Sequence, residues 1–228
     1  NQQEPRLVVH YASLQQLPSA INVVDAYKDG EADFHKIVAD MADIPRLQAK
    51  TINLGLFYGM GKAKLQAELG VSKQKADDLF QLYHGKVPFV KQLMNAVSNR
   101  AQQRGQIRTL LGRLCRFHLW EPNYFGIHKP LSFEEATQEY GPGIKRAYTY
   151  KALNKLIQGS AADMTKKCML ELYKEGIIPH IQIHDELDIS VKDDKQARQI
   201  VQIMEAAVEL TVPNKVDYEA GKNWGQIH

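Results

Sequence analysis

The stretch Pro179–Lys192, PHIQIHDELDISVK, places an acidic pair between two short runs in which apolar and polar residues alternate. Alternation with a period of two is typical of a half-buried β-hairpin. The predicted turn carries His184, Asp185 and Glu186 in place of the Asn-Gly or Asp-Gly pair that short hairpin turns favour. Adjacent carboxylates repel each other and would be stabilised by a cation, although a solvated polar turn is the commoner interpretation of such a dipeptide.

Length and composition indicate an ordinary globular protein. The 228 residues suffice for one large domain or two subdomains, and a net charge of +3 is too small to indicate a polyanionic partner on its own. Cys115 and Cys168 are too few for a disulfide framework, and no apolar run approaches the length of a membrane span. A soluble protein of the reducing cytoplasm is the expectation. The start at Asn1, without Met, suggests a fragment.

The first hundred residues show the signals of successive helices. Helices are predicted, with Gly or Pro near several of their ends, over residues 5–13, 21–28, 33–41, 46–58, 61–69, 72–84 and 87–104. In the fourth of them a stripe recurs every four residues and comprises Arg46, Lys50, Leu54 and Tyr58. Two cations and an aromatic ring fit either a solvated helix face or a wall that grips phosphates and stacks a base.

The second half of the chain changes character. Residues 106–117 predict a bent hairpin with a cationic edge, whereas residues 118–143 have no clean period and predict a long ordered insertion or loop. A long helix is predicted over residues 144–175. An amphipathic helix over 194–210 and a last strand over 213–220 complete the pattern.

Within the long helix, Asn154 and Gln158 lie one turn apart and share a face. Amides at this spacing can read base edges in a minor groove, and they can equally bridge neighbouring backbone. Gly159 follows directly and costs about 1 kcal/mol relative to Ala in a helix interior, which indicates that another segment approaches closely there.

Three motifs follow one another along the chain: Arg46-x3-Lys50-x7-Tyr58-Gly59, Gln158-Gly-Ser-Ala-Ala-Asp163 and His184-Asp185-Glu186. Together they resemble the signature motifs of family A DNA polymerases, the group of bacterial DNA polymerase I and phage replicative polymerases. The stretches 1–6, 109–113 and 223–228 are also similar to that family, so the resemblance spans nearly the whole chain. Each motif alone is weak, whereas the ordered set is highly specific.

The resemblance implies an α+β fold. A polymerase palm, built from an antiparallel sheet with packed helices, would comprise residues 106–228 together with 1–13. A mostly helical fingers subdomain would comprise residues 14–105. The family's thumb and exonuclease domains would precede Asn1.

The implied activity is template-directed DNA synthesis, in which two metal ions assist nucleotidyl transfer from a dNTP to the primer 3′-hydroxyl. The implied partners are primer–template DNA and dNTPs, and the implied cofactors are two Mg²⁺ ions, for which Mn²⁺ can substitute. No membrane partner is expected, and a processivity factor stays an open question. The family's other metal-binding Asp would lie two residues before Asn1, so the 228 residues alone are expected to be inactive.

The resemblance also assigns roles to individual residues. Asp185 would bind metal, with Glu186 beside it as the second catalytic residue. The dNTP would be bound by seven residues, namely Gln3, Glu4, His35, Arg46, Lys50, Leu54 and Tyr58. DNA would be bound by Arg6, Arg113, Asn154, Gln158 and His184. Leu54 stands where the family usually has Phe or Tyr, which predicts altered sugar discrimination or a slower nucleotide-closing step.

Two alternatives remain at this point. A single-subunit RNA polymerase shares a related Arg/Lys/Tyr-Gly helix and a His-Asp hairpin, but Glu4 and Glu186 favour the DNA enzyme. A non-catalytic nucleic-acid-binding remnant would explain a missing metal-binding Asp. The presence of Arg46, Lys50 and Asp185 favours an enzyme instead.

Overall fold

The computed structural model of the chain describes residues 3–30 and 33–226. Asn1 and Gln2 in the first family-like motif, and Ile227 and His228 in the last, lie outside the described residues. In the described part no helix combines the length and the apolar character that crossing a membrane requires.

The helices predicted for the first half are confirmed. They are α1 (Gln3–Leu14), α2 (Pro18–Lys28), α3 (Phe34–Ala42), α4 (Arg46–Phe57), α5 (Lys62–Leu69), α6 (Lys73–Lys86) and α7 (Pro88–Arg104). Local chemistry explains several of their ends, because Pro18 and Pro88 lie in first turns and the Ser72 side chain accepts a hydrogen bond from the Lys75 N–H. Gly105 ends α7 in the left-handed conformation at φ 66°.

The core is organised around α1. Leu7, Val8, Val9 and Ala12 are fully buried, and α1 packs against α2, α7 and the long helix α9 (Ala152–Lys174). One connected cluster of buried apolar side chains joins helices of both halves of the chain. The site residues of α1, α4 and α9 therefore stand on a shared core, and the division into fingers and palm stays a prediction.

The strands form three antiparallel pairs within the described residues. These are β1 (Gln106–Arg108) with β2 (Leu114–Arg116), β3 (Trp120–Pro122) with β4 (Ile144–Arg146), and β5 (Ile181–Ile183) with β6 (Glu186–Asp188). The α+β class and the 106–117 hairpin are confirmed. The pairs do not join into one continuous palm sheet in this part of the chain.

Of the two interpretations of residues 118–143, the ordered insertion agrees with the structure and the loop does not. This segment contains β3 and helix α8 (Phe133–Tyr140), and Trp120 also bridges to Leu131. A capping box begins α8: the Glu135 N–H donates to Ser132 Oγ at 3.3 Å, and the Ser132 N–H donates to Glu135 Oε2 at 3.1 Å. The Ser-x-x-Glu signal was present in the sequence.

The predicted helix over 144–175 begins later than expected. Residues 144–146 form β4, a 3-10 turn covers Thr149–Lys151, and α9 starts only at Ala152. Arg146 anchors β4, because its guanidinium lies 4.5 Å from the Trp120 ring and donates to the Phe117 carbonyl at 2.9 Å. Tertiary contacts thus override helical propensity here. Helix α10 (Asp194–Ala206) is confirmed, with an end four residues earlier than predicted.

No strand forms over residues 213–220, so this prediction is wrong. Thr211 and Pro213 are instead held to α1 by hydrogen bonds to side chains of that helix. Arg6 Nη1 donates to the Pro213 carbonyl, and Ser13 Oγ lies 2.8 Å from Thr211 Oγ1. The Thr211 N–H donates to His10 Nδ1 at 3.1 Å.

The His10 contact predicts that stability falls in mild acid. Burial lowers the pKa of His10 from its ordinary value of 6.5, and its Nδ1 must be unprotonated to accept from Thr211. As pH falls below 6.5 the unfolded chain binds a proton before the folded chain does, so the free energy of unfolding decreases by up to about 1.4 kcal/mol per pH unit for this group.

Urea unfolding at pH 7.5 and pH 5.5 measures this effect. We expect His10→Gln to reduce the difference between the two pH values, since Gln does not titrate. Exposed His118 provides the matched control, because His118→Gln should leave the difference unchanged. An equal pH dependence in wild type and His10→Gln would contradict the prediction.

Candidate active site

The acidic hairpin forms as predicted, but it is more exposed than predicted. His184 and Asp185 connect β5 and β6, and Glu186 is the first residue of β6 instead of a turn residue. The side chains of β5 are exposed, so the half-buried interpretation is wrong for this strand: Ile181 is 44% exposed and Ile183 38%. His184 adopts a left-handed φ of 52°, and its carbonyl accepts from Gln182 Nε2 at 2.6 Å. The turn presents Asp185 to solvent.

Glu4, in the first turn of α1, lies within electrostatic reach of this hairpin. Burial raises the pKa of Glu4, and the negative charge of Asp185 raises it further, whereas Tyr58 and Lys50 act in the opposite direction. Tyr58 Oη donates to Glu4 Oε1 across 3.5 Å, and burial followed by the charge of Glu4 raises the pKa of that phenol. Glu4 thus connects the acidic hairpin with the α4 stripe.

The stripe on α4 begins with an ion pair. Arg46 Nε donates to Asp33 Oδ2 at 2.7 Å, while Asp33 Oδ1 accepts from the His35 and Lys36 N–H groups at the start of α3. Burial of Asp33 opposes ionisation, but the Arg46 hydrogen bond and those two N–H groups lower the pKa of this carboxyl overall. Asp33 therefore orients Arg46 relative to α3.

The other members of the stripe differ in exposure. Lys50 is exposed, and Leu54 is half-buried and packs against the core. Leu54 therefore presents part of an aliphatic side chain at the surface, between Lys50 and Tyr58.

His35 is buried behind the stripe at 3% exposure. Its Nδ1 lies 3.1 Å from Asn53 Nδ2 and so accepts a hydrogen bond from this amide. Burial lowers the pKa of His35, and the charges of Arg46 and Lys50 lower it further, against the opposing charge of Asp33. Its imidazole is neutral near pH 7, so it can act as a hydrogen-bonding group but not as a third cation.

The side-chain amides of Asn154 and Gln158, on α9, lie at the surface. Gln158 is exposed and Asn154 is half-buried. A Cβ at Gly159 would come 2.7 Å from Thr109 Cγ2, so the expectation of a close approach at this glycine is confirmed. The approaching segment is the β1–β2 hairpin.

Arg6, Arg113 and Gln3 are engaged within the protein. Arg6 is 9% exposed and its guanidinium lies 4.7 Å from the Tyr27 ring, which does not favour its predicted contact with DNA. Arg113 pairs with Asp163 at 2.9 Å and is half exposed. Gln3 Nε2 donates to the Ala161 carbonyl at 3.3 Å, so its contact with a dNTP stays a prediction.

Two of the carboxylates near the hairpin interact with each other. The charge of Asp185 raises the pKa of Glu4, and a divalent cation would relieve repulsion of this kind. Among the described residues, however, no three His, Cys, Asp or Glu side chains are grouped closely enough to hold a metal ion. The described carboxylates therefore do not make up a complete metal site on their own.

The sequence interpretation assigned no role to three buried polar residues, two of which belong to the Gln158–Asp163 motif. Asn53 is fully buried between Phe34 and His35, and its amide donates to the Phe34 carbonyl at 3.3 Å. Ser160 and Asp163 are buried in the middle of α9. Their signal was available: each is a polar residue on the apolar face of a helix, where a buried hydrogen-bond partner is required.

Glu4 is within electrostatic reach of both Lys50 on α4 and Asp185 in the acidic hairpin, while α9 carries the half-buried Asn154 and the exposed Gln158. Comparisons with known proteins show the family to which this chain belongs. The chain belongs to family A of the DNA polymerases, since the family model described as DNA polymerase family A matches residues 1–226. This membership favours the DNA enzyme over the RNA polymerase considered above.

Individual relatives agree with this assignment. The chain is 36% identical to the DNA-directed DNA polymerase of Pseudomonas phage M6 over 99% of its own length, and 32% identical to DNA polymerase I of Geobacillus stearothermophilus over 98%. It spans 37% and 25% of the length of these two proteins. A solved structure, the POL domain of Pol1 from M. smegmatis in complex with DNA primer-template and dNTP, matches 93% of this chain and 36% of its own, with a TM-score of 0.70 and 26% identity.

Proposed function

We propose that this chain supplies the fingers and palm of an enzyme that extends a DNA primer on a template. The observation that carries the proposal is the electrostatic contact of Glu4 with both Asp185 and Lys50. The acidic hairpin and Lys50 of the α4 stripe are thus both within electrostatic reach of one carboxylate. The relationship to a POL domain that binds primer-template and dNTP supports the same conclusion.

In this proposal the α4 stripe holds the triphosphate of the dNTP. Lys50 provides an exposed point charge, and Arg46 provides a planar fork for phosphate oxygens. Since Arg46 is paired with Asp33, a bound phosphate competes with that carboxylate. His35 lies beneath the stripe as a neutral hydrogen-bonding group, Leu54 and Tyr58 flank the nucleoside, and Gln3 and Glu4 border it from α1.

Asp185 and Glu186 would contribute ligands to divalent cations, Mg²⁺ or Mn²⁺, which supply charge neutralisation at the reacting phosphate when bound. The chain's own residues position the reactants: His184 and Asp185 hold the hairpin turn at the primer end. Asn154 and Gln158 contact the minor groove of the duplex, where an amide can pair with acceptors common to all base pairs.

The 228-residue chain should bind primer–template DNA but not extend it. Binding requires the amides of α9 and the basic side chains, whereas extension requires a complete set of metal ligands. No group of three carboxylate, His or Cys side chains that could hold a metal ion is found among the described residues. Anisotropy of a labelled primer–template at several salt concentrations measures binding, and incubation with dNTPs and Mg²⁺ measures extension. The logarithm of the binding constant should fall linearly with the logarithm of salt concentration.

The amides provide a specific variant and a matched control. Asn154→Ala with Gln158→Ala should weaken binding, whereas Gln199→Ala, an exposed amide on α10, should not. Absence of salt-dependent binding would count against a DNA-binding palm. Robust extension by the 228 residues would show that the carboxylates present are sufficient, and would refute the predicted inactivity while supporting the polymerase.

A further inference from the structure

The turn of the β1–β2 hairpin is fixed to α9 by two buried polar side chains. The Leu110 N–H donates to Ser160 Oγ at 3.0 Å, and the Leu111 N–H lies 3.4 Å from Asp163 Oδ2. Arg113 completes the attachment, because its Nε donates to Asp163 Oδ1 at 3.0 Å. Two consecutive backbone N–H groups and a guanidinium therefore converge on one segment of α9.

Burial makes this attachment more than a surface ion pair. Asp163 is 5% exposed and Ser160 is fully buried. A buried carboxylate is costly unless hydrogen bonds and an opposite charge compensate it, and the turn supplies both. Arg113 Nη2 also donates to the Gly159 carbonyl at 2.6 Å. The side chain of Arg113 is thus committed to α9 at two points.

The same segment of α9 is tied to α1. Tyr11 Oη lies 2.7 Å from Ser160 Oγ, and Gln3 Nε2 donates to the Ala161 carbonyl. Since α1 also carries Glu4, the hairpin turn, α9 and the acidic end of α1 form one bonded unit. Ser160 is shared between Tyr11 and the Leu110 N–H, so it couples the hairpin to α1.

This unit sets the direction of the Gln158 amide. Successive residues of an α-helix are rotated by about 100°, so residues 158 and 160 point in roughly opposite directions. Bonds that hold Ser160 and Asp163 inward therefore hold Gln158 outward, as its exposure shows. A rotation of α9 that released the turn would withdraw Gln158 from the surface.

We propose that Ser160 and Asp163 are positioning residues that hold Gln158 toward the DNA duplex, and that Arg113 acts through Asp163 instead of binding a phosphate. The proposal rests on the proposed function, since it requires a duplex at this surface. It assigns a role to the second half of the Gln158–Asp163 motif, and it revises the DNA contact predicted for Arg113.

The salt dependence of DNA binding separates the two roles of Arg113. Each phosphate contact contributes about 0.9 to the slope of log binding constant against log salt concentration. We expect Arg113→Ala to weaken binding of a labelled primer–template about fivefold, as for one net hydrogen bond, with the wild-type slope. Gln158→Ala should have a similar effect. The double variant should be no weaker than either single variant, because both changes remove the same contact.

Two further variants complete the test. Arg116→Ala removes the same charge from the same hairpin at an exposed side chain for which no bond to α9 is seen among the described residues, so it shows what loss of a surface charge alone does. Arg113→Lys keeps the charge but lacks the fork that reaches Asp163 and Gly159. It should bind DNA as weakly as Arg113→Ala. If Arg113→Ala does not fold, the DNA affinity of Arg113→Lys still distinguishes a bond to Asp163 from a phosphate contact.

A loss of about 0.9 from the slope in Arg113→Ala, or full recovery in Arg113→Lys, would overturn the proposal in favour of a phosphate contact. Additive losses of about 25-fold in the Arg113→Ala, Gln158→Ala double variant would overturn it as well. Failure of the wild-type chain to bind primer–template at any salt concentration would instead count against the proposed function.

Discussion

Replacing Asp185 by Asn in the intact gene product should lower the rate of primer extension by at least about a thousandfold, because charge stabilisation by a catalytic metal contributes several kcal/mol. Asp185 is exposed at the tip of the hairpin, and its negative charge already raises the pKa of Glu4. Asparagine keeps the size of the side chain and removes that charge. The hairpin itself should therefore persist while the proposed metal ligand is lost.

Single-turnover extension of a labelled primer by one nucleotide measures this effect. Asp194→Asn provides the matched control, since Asp194 is an exposed acid on the first turn of α10. The control should extend at the wild-type rate, and Asp185→Asn should retain affinity for primer–template, which separates chemistry from binding. Extension within about tenfold of wild type in Asp185→Asn would remove Asp185 from the reaction, because that change corresponds to only about 1.4 kcal/mol.

The helices could be predicted from the sequence because their signals are local. A proline in the first turn of α7, a Ser cap on α6 and a left-handed Gly after α7 each act within a few residues of the helix end. The stripe of α4 follows from helical periodicity alone. Its orientation toward Glu4 does not, because the partner lies on another helix.

The strands were predicted less well, because pairing is decided by distant segments. Residues 213–220 have an acceptable strand composition, yet no strand of the described residues pairs with them, and hydrogen bonds to α1 hold Thr211 and Pro213 instead. Residues 144–146 were assigned to a helix, but β3 offers them a partner and Arg146 stacks on Trp120. Neither outcome is encoded in the local pattern.

At the candidate site, the resemblance names residues but does not give their partners. An arginine in a hairpin is interpreted as a surface cation, yet Arg113 pairs with an aspartate 50 positions away along the chain. Burial of His35 and its bond to Asn53 are equally non-local. The family could therefore be anticipated from the sequence, whereas the hydrogen bonds and ion pairs within the candidate site required the structure.

Replacing Phe57 by Ala should lower the free energy of unfolding by about 3–5 kcal/mol, the usual cost of emptying a buried aromatic site. Phe57 is fully buried at the end of α4, and its ring centroid lies 5.4 Å from that of Phe34. Phe34 in turn contacts Phe89 of α7 at 6.2 Å. These three rings pack α3 and α4 against α7, so the cavity cannot collapse without moving a helix.

The same change should also disturb the stripe of α4 that is proposed to bind the dNTP. Asp33, which holds Arg46, directly precedes Phe34, so loosening the Phe34–Phe57 contact weakens the support of the ion pair. Urea unfolding measures the loss of stability, with Leu47→Ala as the matched control. Leu47 lies on the same helix but is 77% exposed, so its removal should change stability by no more than about 0.5 kcal/mol. A loss below about 1 kcal/mol in Phe57→Ala would mean that the ring cluster does not support α4.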